Sequence, residues 1–223
     1  MQTVLKYPGS KWKIADWIIG HFPNHHTYLE PFFGSGAVLF KKVTSPIETI
    51  NDLDGLVIKR HFLIQCWQGH GFRTNGYKVG WKNDVQGREK AYALSNWYRL
   101  PRWILEAAER LRKVQIENRP AVEVIKRHRY PNVLIYADPP YLLGTRTAKQ
   151  YRCEMTDDDH IKLLEALLDH PGPVILSGYE NELYNDMLKG WNKENINALA
   201  EHGLPRVETI WMNYQPMQQI KMF

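Results

Sequence analysis

From Lys11 to Gly20 the apolar residues Ile14, Trp17 and Ile18 recur at helical spacing, which predicts a short helix. Thr27–Glu30 reads as a short strand running into the turn Pro31-Phe32-Phe33-Gly34-Ser35-Gly36, after which Ala37–Val43 returns to helix. Ile47–Ile50 predicts a second strand, ending on Asn51-Asp52, and Leu53–Gln65 reads as helix. Strand, glycine turn, helix and strand in that order are the unit of a parallel α/β layer. The periodicity then breaks. Gly69, Gly71, Gly76, Gly80 and Gly87 punctuate residues 66–93, which read as loop or short hairpin.

Leu100-Pro101 fits a helix start with Pro at the first helical position, and Pro101–Arg112 carries Ile104, Leu105, Ala108 and Leu111 on one stripe. Alternation resumes with Val114–Glu117, Ala121–His128 and the apolar run Val133–Ala137, a buried strand that stops where Asp138 begins. Thr156-Asp157-Asp158-Asp159 has the form of a capping box, with Ile161, Leu164, Leu167 and Leu168 as the inner face of the helix it opens. Val174–Ser177 predicts a strand and Glu180–Lys189 a helix; strands around Glu194–Asn197 and Arg206–Asn213 close the chain.

A chain of 223 residues, 43% apolar and 24% charged, suits one α/β domain with a modest insertion. It has no apolar run of the roughly 20 residues that span a membrane, and its opening residues predict no signal peptide. A cytoplasmic protein is expected. Cys66 and Cys153 are too few for a disulfide framework, and the adjacent His25-His26 lack the spacing of a helical metal pair, so no metal is expected.

Charge adds the next distinction. Residues 60–113 hold eleven Lys or Arg against four acids, a surplus of +7, while the whole chain carries only +5. Four of the eight tryptophans also fall there. A basic segment interleaved with aromatics predicts a polyanion-binding surface, with a merely solvated basic face as the alternative.

Three places carry candidate chemistry. Phe33-Gly34-Ser35-Gly36 lies at a strand end ahead of a helix, where glycine lets a ligand approach the backbone; it is not a dinucleotide fingerprint, and a structural turn is the other reading. Asp52, at the end of the next strand, is placed to accept hydrogen bonds from ribose hydroxyls or to cap the helix after it. Asp138-Pro139-Pro140-Tyr141 is sharper. Its prolines fix the backbone and remove two N–H donors, leaving the Asp138 carboxylate and the Pro139 carbonyl as acceptors beside an aromatic ring. Acceptors suit a planar exocyclic amine, and the ring suits a stacked base. Lys11 could meet a carboxylate or phosphate, or be a surface lysine.

Taken together, Tyr7-Pro8-Gly9-Ser10-Lys11, Glu30-Pro31-Phe32-Phe33-Gly34-Ser35-Gly36, Asn51-Asp52 and Asp138-Pro139-Pro140-Tyr141 resemble, in order, the motifs of the DNA adenine methylase family. The resemblance implies a class I methyltransferase sheet, Rossmann-like and mostly parallel with its last strand antiparallel. Residues 1–59 and 114–223 would form the catalytic domain around an inserted target-recognition segment at 60–113. It implies S-adenosylmethionine as cofactor, held by Tyr7, Lys11, Asp52 and Asp138. Glu30, Phe33, Gly34, Ser35 and Gly36 would line its methionine part, and Asn118 would pack against its adenine.

Asp138, Pro139, Pro140 and Tyr141 are the implied catalytic residues for methylating the N6 amine of a flipped adenine in double-stranded DNA. Within the basic segment, which is shorter than in the longer members, Arg73, Lys78, Trp81, Lys82 and Arg88 are the expected DNA contacts, to phosphate by default. A monomer is expected, either partnered with a restriction enzyme or an orphan of phage origin. Cytosine N4, RNA and protein glutamine are the alternative substrates, and an idle DNA-binding protein of the same fold is the alternative class. A cytosine C5 enzyme would need a cysteine nucleophile, and neither cysteine lies in such a motif.

Overall fold

The run Val133–Ala137 is buried at every position, as a strand covered on both faces must be, and the sheet is built around it. The computed structural model describes residue 7 and residues 9–55, 92–145, 150–199 and 205–216. The expected DNA contacts Arg73, Lys78, Trp81, Lys82 and Arg88 lie outside the described residues, as do residues 56–65 of the helix expected from Leu53 and most of the loop expected over 66–93.

Among the described residues the strands are β1 (Thr27–Glu30), β2 (Ile47–Asn51), β3 (Val114–Glu117), β4 (Val133–Ala137), β5 (Val174–Gly178), β6 (Asn192–Leu199) and β7 (Pro205–Met212). They form one sheet in the order β3-β2-β1-β4-β5-β7-β6. The pairs from β3 through β5 are parallel, whereas β7 pairs antiparallel with both β5 and β6. Only the last strand therefore runs against the rest, as the sequence resemblance implied.

The helices are α1 (Ala15–Gly20), α2 (Ala37–Lys41), α3 (Tyr92–Leu111), α4 (Ala121–Arg127), α5 (Asp157–Leu168) and α6 (Glu182–Met187). Strand alternation sends Leu29, Ile135 and Trp211 into a core shared with α4, α5 and α6. Their neighbours Tyr28, Leu134, Tyr136, Ile210 and Met212 enter a second core with α1 and α2 on the opposite face. The sheet is thus covered on both sides, and ligand access falls to its ends. Chain order reverses between β1 and β4, and in an open α/β sheet the crevice beyond the strand ends at such a switch is where ligands bind.

Four local expectations need correction. Helix α1 begins at Ala15 rather than Lys11; a turn over Trp12–Ile14 precedes it and leaves Lys11 outside the helix. Leu53–Gly55 is not helical, because Asp52 Oδ1 accepts from the Asp54 amide at 2.9 Å and closes a turn there. Pro101 sits inside α3 rather than opening it. The stripe expected on that helix is also largely misplaced: Leu105 is 71% exposed and only Leu111 of it packs against the core, while the buried positions among the described side chains are Leu100 and Ala107.

In α5 the expected capping box is present, with Thr156 accepting from the Asp159 amide and Asp159 from the Thr156 amide. Its buried face is His160, Leu163, Leu164 and Leu167, at i, i+3, i+4 and i+7, while Leu168 points outward. His160 Nδ1 meets the Tyr184 hydroxyl at 2.8 Å in the core.

The +7 segment is also not one free surface. Arg110, near the end of α3, is a tie between layers: its guanidinium donates to both oxygens of buried Glu48 and, at 3.0 Å, to the Leu39 carbonyl. Arg102 and Arg112 are paired along the helix with Glu106 and Glu109.

Candidate active site

The C-terminal ends of β1, β2, β4 and β5 place Glu30, Asn51, Asp138 and Tyr179 around one opening. Below them lies a cleft of about 600 Å³ lined by Tyr7, Lys11, Glu30, Phe33, Gly34, Ser35, Asp52, Asp138 and Pro140, among others. Sequence positions from residue 7 to residue 140 converge there. Gly36, Asn118, Pro139 and Tyr141 do not line the cleft itself.

The glycine turn earns its glycines in two ways. Phe33 donates its amide to the Asn51 carbonyl at 2.9 Å, and Gly34 donates to Asp52 Oδ2 at 2.8 Å, so the turn is stitched to the end of β2. Gly36 has φ +65°, and a Cβ there would lie 2.3 Å from the Phe33 ring and 2.8 Å from that of Phe40. Its role is thus backbone conformation and ring packing at the start of α2, rather than contact with the cleft. Gly36→Ala is expected to cost at least about 2 kcal/mol, from left-handed backbone strain and ring displacement together. A lowered denaturation midpoint measures it.

Asp52 closes a turn rather than capping a helix. Its two oxygens each take a backbone N–H, from Gly34 and Asp54, yet the side chain still lines the cleft. Burial raises its carboxyl above the usual range. Asn118 acts through the same place, donating to the Asp52 carbonyl at 2.5 Å and the Leu53 carbonyl at 3.2 Å.

Glu30 is buried at the cleft floor and accepts from the Tyr28 hydroxyl at 2.7 Å. Removal from water outweighs that bond and pushes its carboxyl up to about 8.

Lys11 is 6% exposed, so it is not a surface lysine. Its Nζ lies 2.9 Å from Asp138 Oδ1 and 4.0 Å from Glu208 Oε2, and it donates to the Gly9 carbonyl at 3.1 Å. It also sits 4.7 Å from the centre of the Tyr141 ring. Burial alone would lower the ammonium, but the Asp138 and Glu208 carboxylates overcome it and hold it above its ordinary value.

Asp138 Oδ1 accepts additionally from Ser177 Oγ at 2.7 Å, so one oxygen takes both partners and the carboxylate plane is fixed. The Tyr141 hydroxyl donates to Glu208 at 2.6 Å, and its ring meets Tyr179 edge-to-face with centroids 4.4 Å apart.

Ser177, Tyr179 and Glu208 were missed in the sequence. Glu208 left a usable signal: it shares a strand phase with the buried Ile210 and Met212, so an acid faces inward where an apolar residue would be ordinary. Ser177 and Tyr179 left none, being ordinary residues at a strand end.

The family described as D12 class N6 adenine-specific DNA methyltransferase matches residues 7–70 and 72–202. No curated protein matches the sequence. Among solved structures, a spermidine synthase in complex with the transition-state analogue AdoDATO is similar over 93% of this chain and 63% of its own, with TM-score 0.51 and 11% identity. An rRNA methylase from Streptococcus thermophilus is similar over 89% and 92%, with TM-score 0.45 and 8% identity. A conserved hypothetical protein from Streptococcus pyogenes is similar over 91% and 94%, with TM-score 0.44 and 14% identity. At such identities the likeness is one of fold, the seven-stranded sheet of class I methyltransferases. No helix of the described residues is long and apolar enough to cross a membrane.

Proposed function

The chain belongs to the D12 class N6 adenine-specific DNA methyltransferases, and from that premise we propose that its cleft binds S-adenosylmethionine and that Asp138-Pro139-Pro140-Tyr141 receives an adenine flipped out of duplex DNA. The observation that carries this reading is the junction of the cleft with Asp138, which lines it and is fixed on one oxygen by Lys11 and Ser177.

The cleft fits that cofactor in volume and in donor set. Drug-sized and cofactor ligands occupy clefts of roughly 300–1,000 Å³. Asp52 is placed for ribose hydroxyls and Glu30 for the cationic methionine end, with Tyr7, Phe33, Gly34 and Ser35 as the wall between. When bound, S-adenosylmethionine supplies a sulfonium methyl that the amine nitrogen takes in one displacement, with no covalent bond to the protein.

What the chain contributes is alignment. Lys11 and Ser177 occupy Asp138 Oδ1, leaving Oδ2 to accept one N–H of the target amine while the Pro139 carbonyl accepts the other. Both acceptors favour the positive charge that builds on the nitrogen as it attacks, and Asp138 is placed to take the proton it then sheds. The target base must leave the stack to reach them, and Tyr141 offers its ring there. The inserted segment 60–113 supplies the electrostatic grip on the duplex, through Arg73, Lys78, Trp81, Lys82 and Arg88.

Glu30 makes cofactor binding pH-dependent. With its carboxyl at about 8, it is mostly protonated at neutral pH in the free protein. A cation placed beside it favours the carboxylate, so S-adenosylmethionine binding at pH 7 is expected to release up to about one proton. Affinity rises with pH to about 8 and then flattens. Calorimetry in buffers of different ionisation enthalpy reads the proton, and Glu30→Gln should abolish it. The same raised value carries a sign for folding: Glu30 favours the folded state fully below about 4.5 and loses that contribution as pH climbs through about 8.

The function is tested by incubating the protein with labelled S-adenosylmethionine and unmethylated duplex DNA, then separating the nucleosides. Label is expected in N6-methyldeoxyadenosine. Label in N4-methyldeoxycytidine, or transfer to RNA alone, rejects the reading.

A further inference from the structure

Alternation along β7 puts Met212 and Ile210 in the core, Glu208 against Lys11 and Tyr141, and Arg206 next in the same row, at the rim. Arg206 is half-buried. Its Nη1 donates to the Tyr179 hydroxyl at 2.7 Å, and its guanidinium carbon lies 5.2 Å from the centre of the Tyr179 ring. Tyr179 in turn packs on Tyr141. Among the described residues no carboxylate pairs with Arg206; Glu208, two positions along, is engaged by Tyr141 and Lys11 instead.

A guanidinium keeps its charge at any ordinary pH and offers five N–H donors, of which the tyrosine hydroxyl uses one. Holding it half-desolvated without an anion is costly, and stacking on tyrosine recovers only part of that cost. A structural arginine would bring its own acid, as Arg110 does with Glu48. An arginine that is pinned in place but pairs with no described acid suits an anion that arrives with the substrate.

We propose that Arg206, oriented by Tyr179, binds a backbone phosphate of the DNA at the target nucleotide. This inference rests on the proposed function, since a flipped adenine carries its flanking phosphates to the rim of the site that holds its amine. The contact is independent of base sequence, and it would hold the nucleotide in register with Asp138.

The test measures DNA affinity against salt for the wild type, Arg206→Ala, Arg206→Gln and Arg206→Lys, with S-adenosylmethionine affinity and melting temperature measured alongside. Loss of one phosphate contact should make the slope of log affinity on log salt shallower by about 0.9. It should also weaken binding roughly tenfold at low salt. Arg206→Gln should behave as Arg206→Ala does, Arg206→Lys should keep the wild-type slope, and all should bind S-adenosylmethionine as the wild type does. Tyr179→Phe, which removes only the orienting hydroxyl, should weaken DNA binding while keeping the slope.

An unchanged slope in both Arg206→Ala and Arg206→Gln overturns the inference. So does a loss of cofactor affinity in Arg206→Gln, which would assign the guanidinium to the cofactor's carboxylate. Failure of the wild type to methylate DNA at all would instead overturn the proposed function, so the two failures are distinguishable.

Discussion

Asp138→Ala should lose methyl transfer by at least roughly a thousandfold while keeping most of its affinity for DNA. The change removes the carboxylate proposed to face the target amine, which is also the anchor shared by Lys11 and Ser177. The basic segment proposed to grip the duplex is left whole. Asp138→Asn separates charge from shape. The amide is nearly isosteric, but it carries no negative charge for Lys11 or for the amine, and one of its two ends is a donor. It should be as inactive as Asp138→Ala. Single-turnover transfer with saturating DNA and cofactor reads the chemical step, and a gel or anisotropy titration reads the affinity. Activity within tenfold of wild type in either variant removes Asp138 from the reaction.

The second large effect falls on stability. Lys11→Met should cost about 3–5 kcal/mol, because it strands buried charge that one ammonium now serves. Asp138 and Glu208 both face Lys11 Nζ, and their side chains are 18% and 13% exposed. Small domains hold only about 5–15 kcal/mol in reserve, so the variant should denature at markedly lower urea. A second substitution identifies the cause. Adding Asp138→Asn to Lys11→Met removes one of the two stranded carboxylates, so the double variant should recover part of the loss in urea midpoint. A double variant no more stable than Lys11→Met would mean that lost packing, rather than charge, is responsible.

The sheet was legible because its signals are local. Thr27–Glu30 and Val133–Ala137 are found where the apolar runs placed them, and Ile47–Asn51 differs by one residue. The convergence of Tyr7, Lys11, Glu30, Phe33, Gly34, Ser35, Asp52 and Asp138 on one cleft was legible because each stands near a strand end or turn, where an open parallel sheet gathers its ligand-facing residues. Boundaries set by side-chain competition were not legible. Asp52 closes a turn onto Asp54, which the helical pattern after Leu53 could not announce. Pro101 suggested a helix start by its chemistry, yet α3 runs through it.

The surroundings of Asp138-Pro139-Pro140-Tyr141 were the least legible. Glu208 reaches Tyr141 from 67 residues away and Ser177 reaches Asp138 from 39, through the pairing of β5 with β4 and β7. Contacts made by topology leave only a faint trace in sequence, here one acid in the inward phase of a strand.

Tyr141 shows a similar limit. Its ring was read as a platform for a base, whereas in the structure the Lys11 ammonium lies 4.7 Å from its centre and Tyr179 packs on it as well. A base stacked on Tyr141, as proposed, would have to share the ring with these neighbours.

The most direct test of the account is made in cells. The wild-type chain and Asp138→Ala are expressed in a bacterial host that lacks adenine methylation, and the host DNA is digested and its nucleosides weighed by mass spectrometry. N6-methyldeoxyadenosine should accumulate with the wild type and be missing with Asp138→Ala. Its absence with a well-folded wild type, or the appearance of N4-methyldeoxycytidine in its place, would contradict the account.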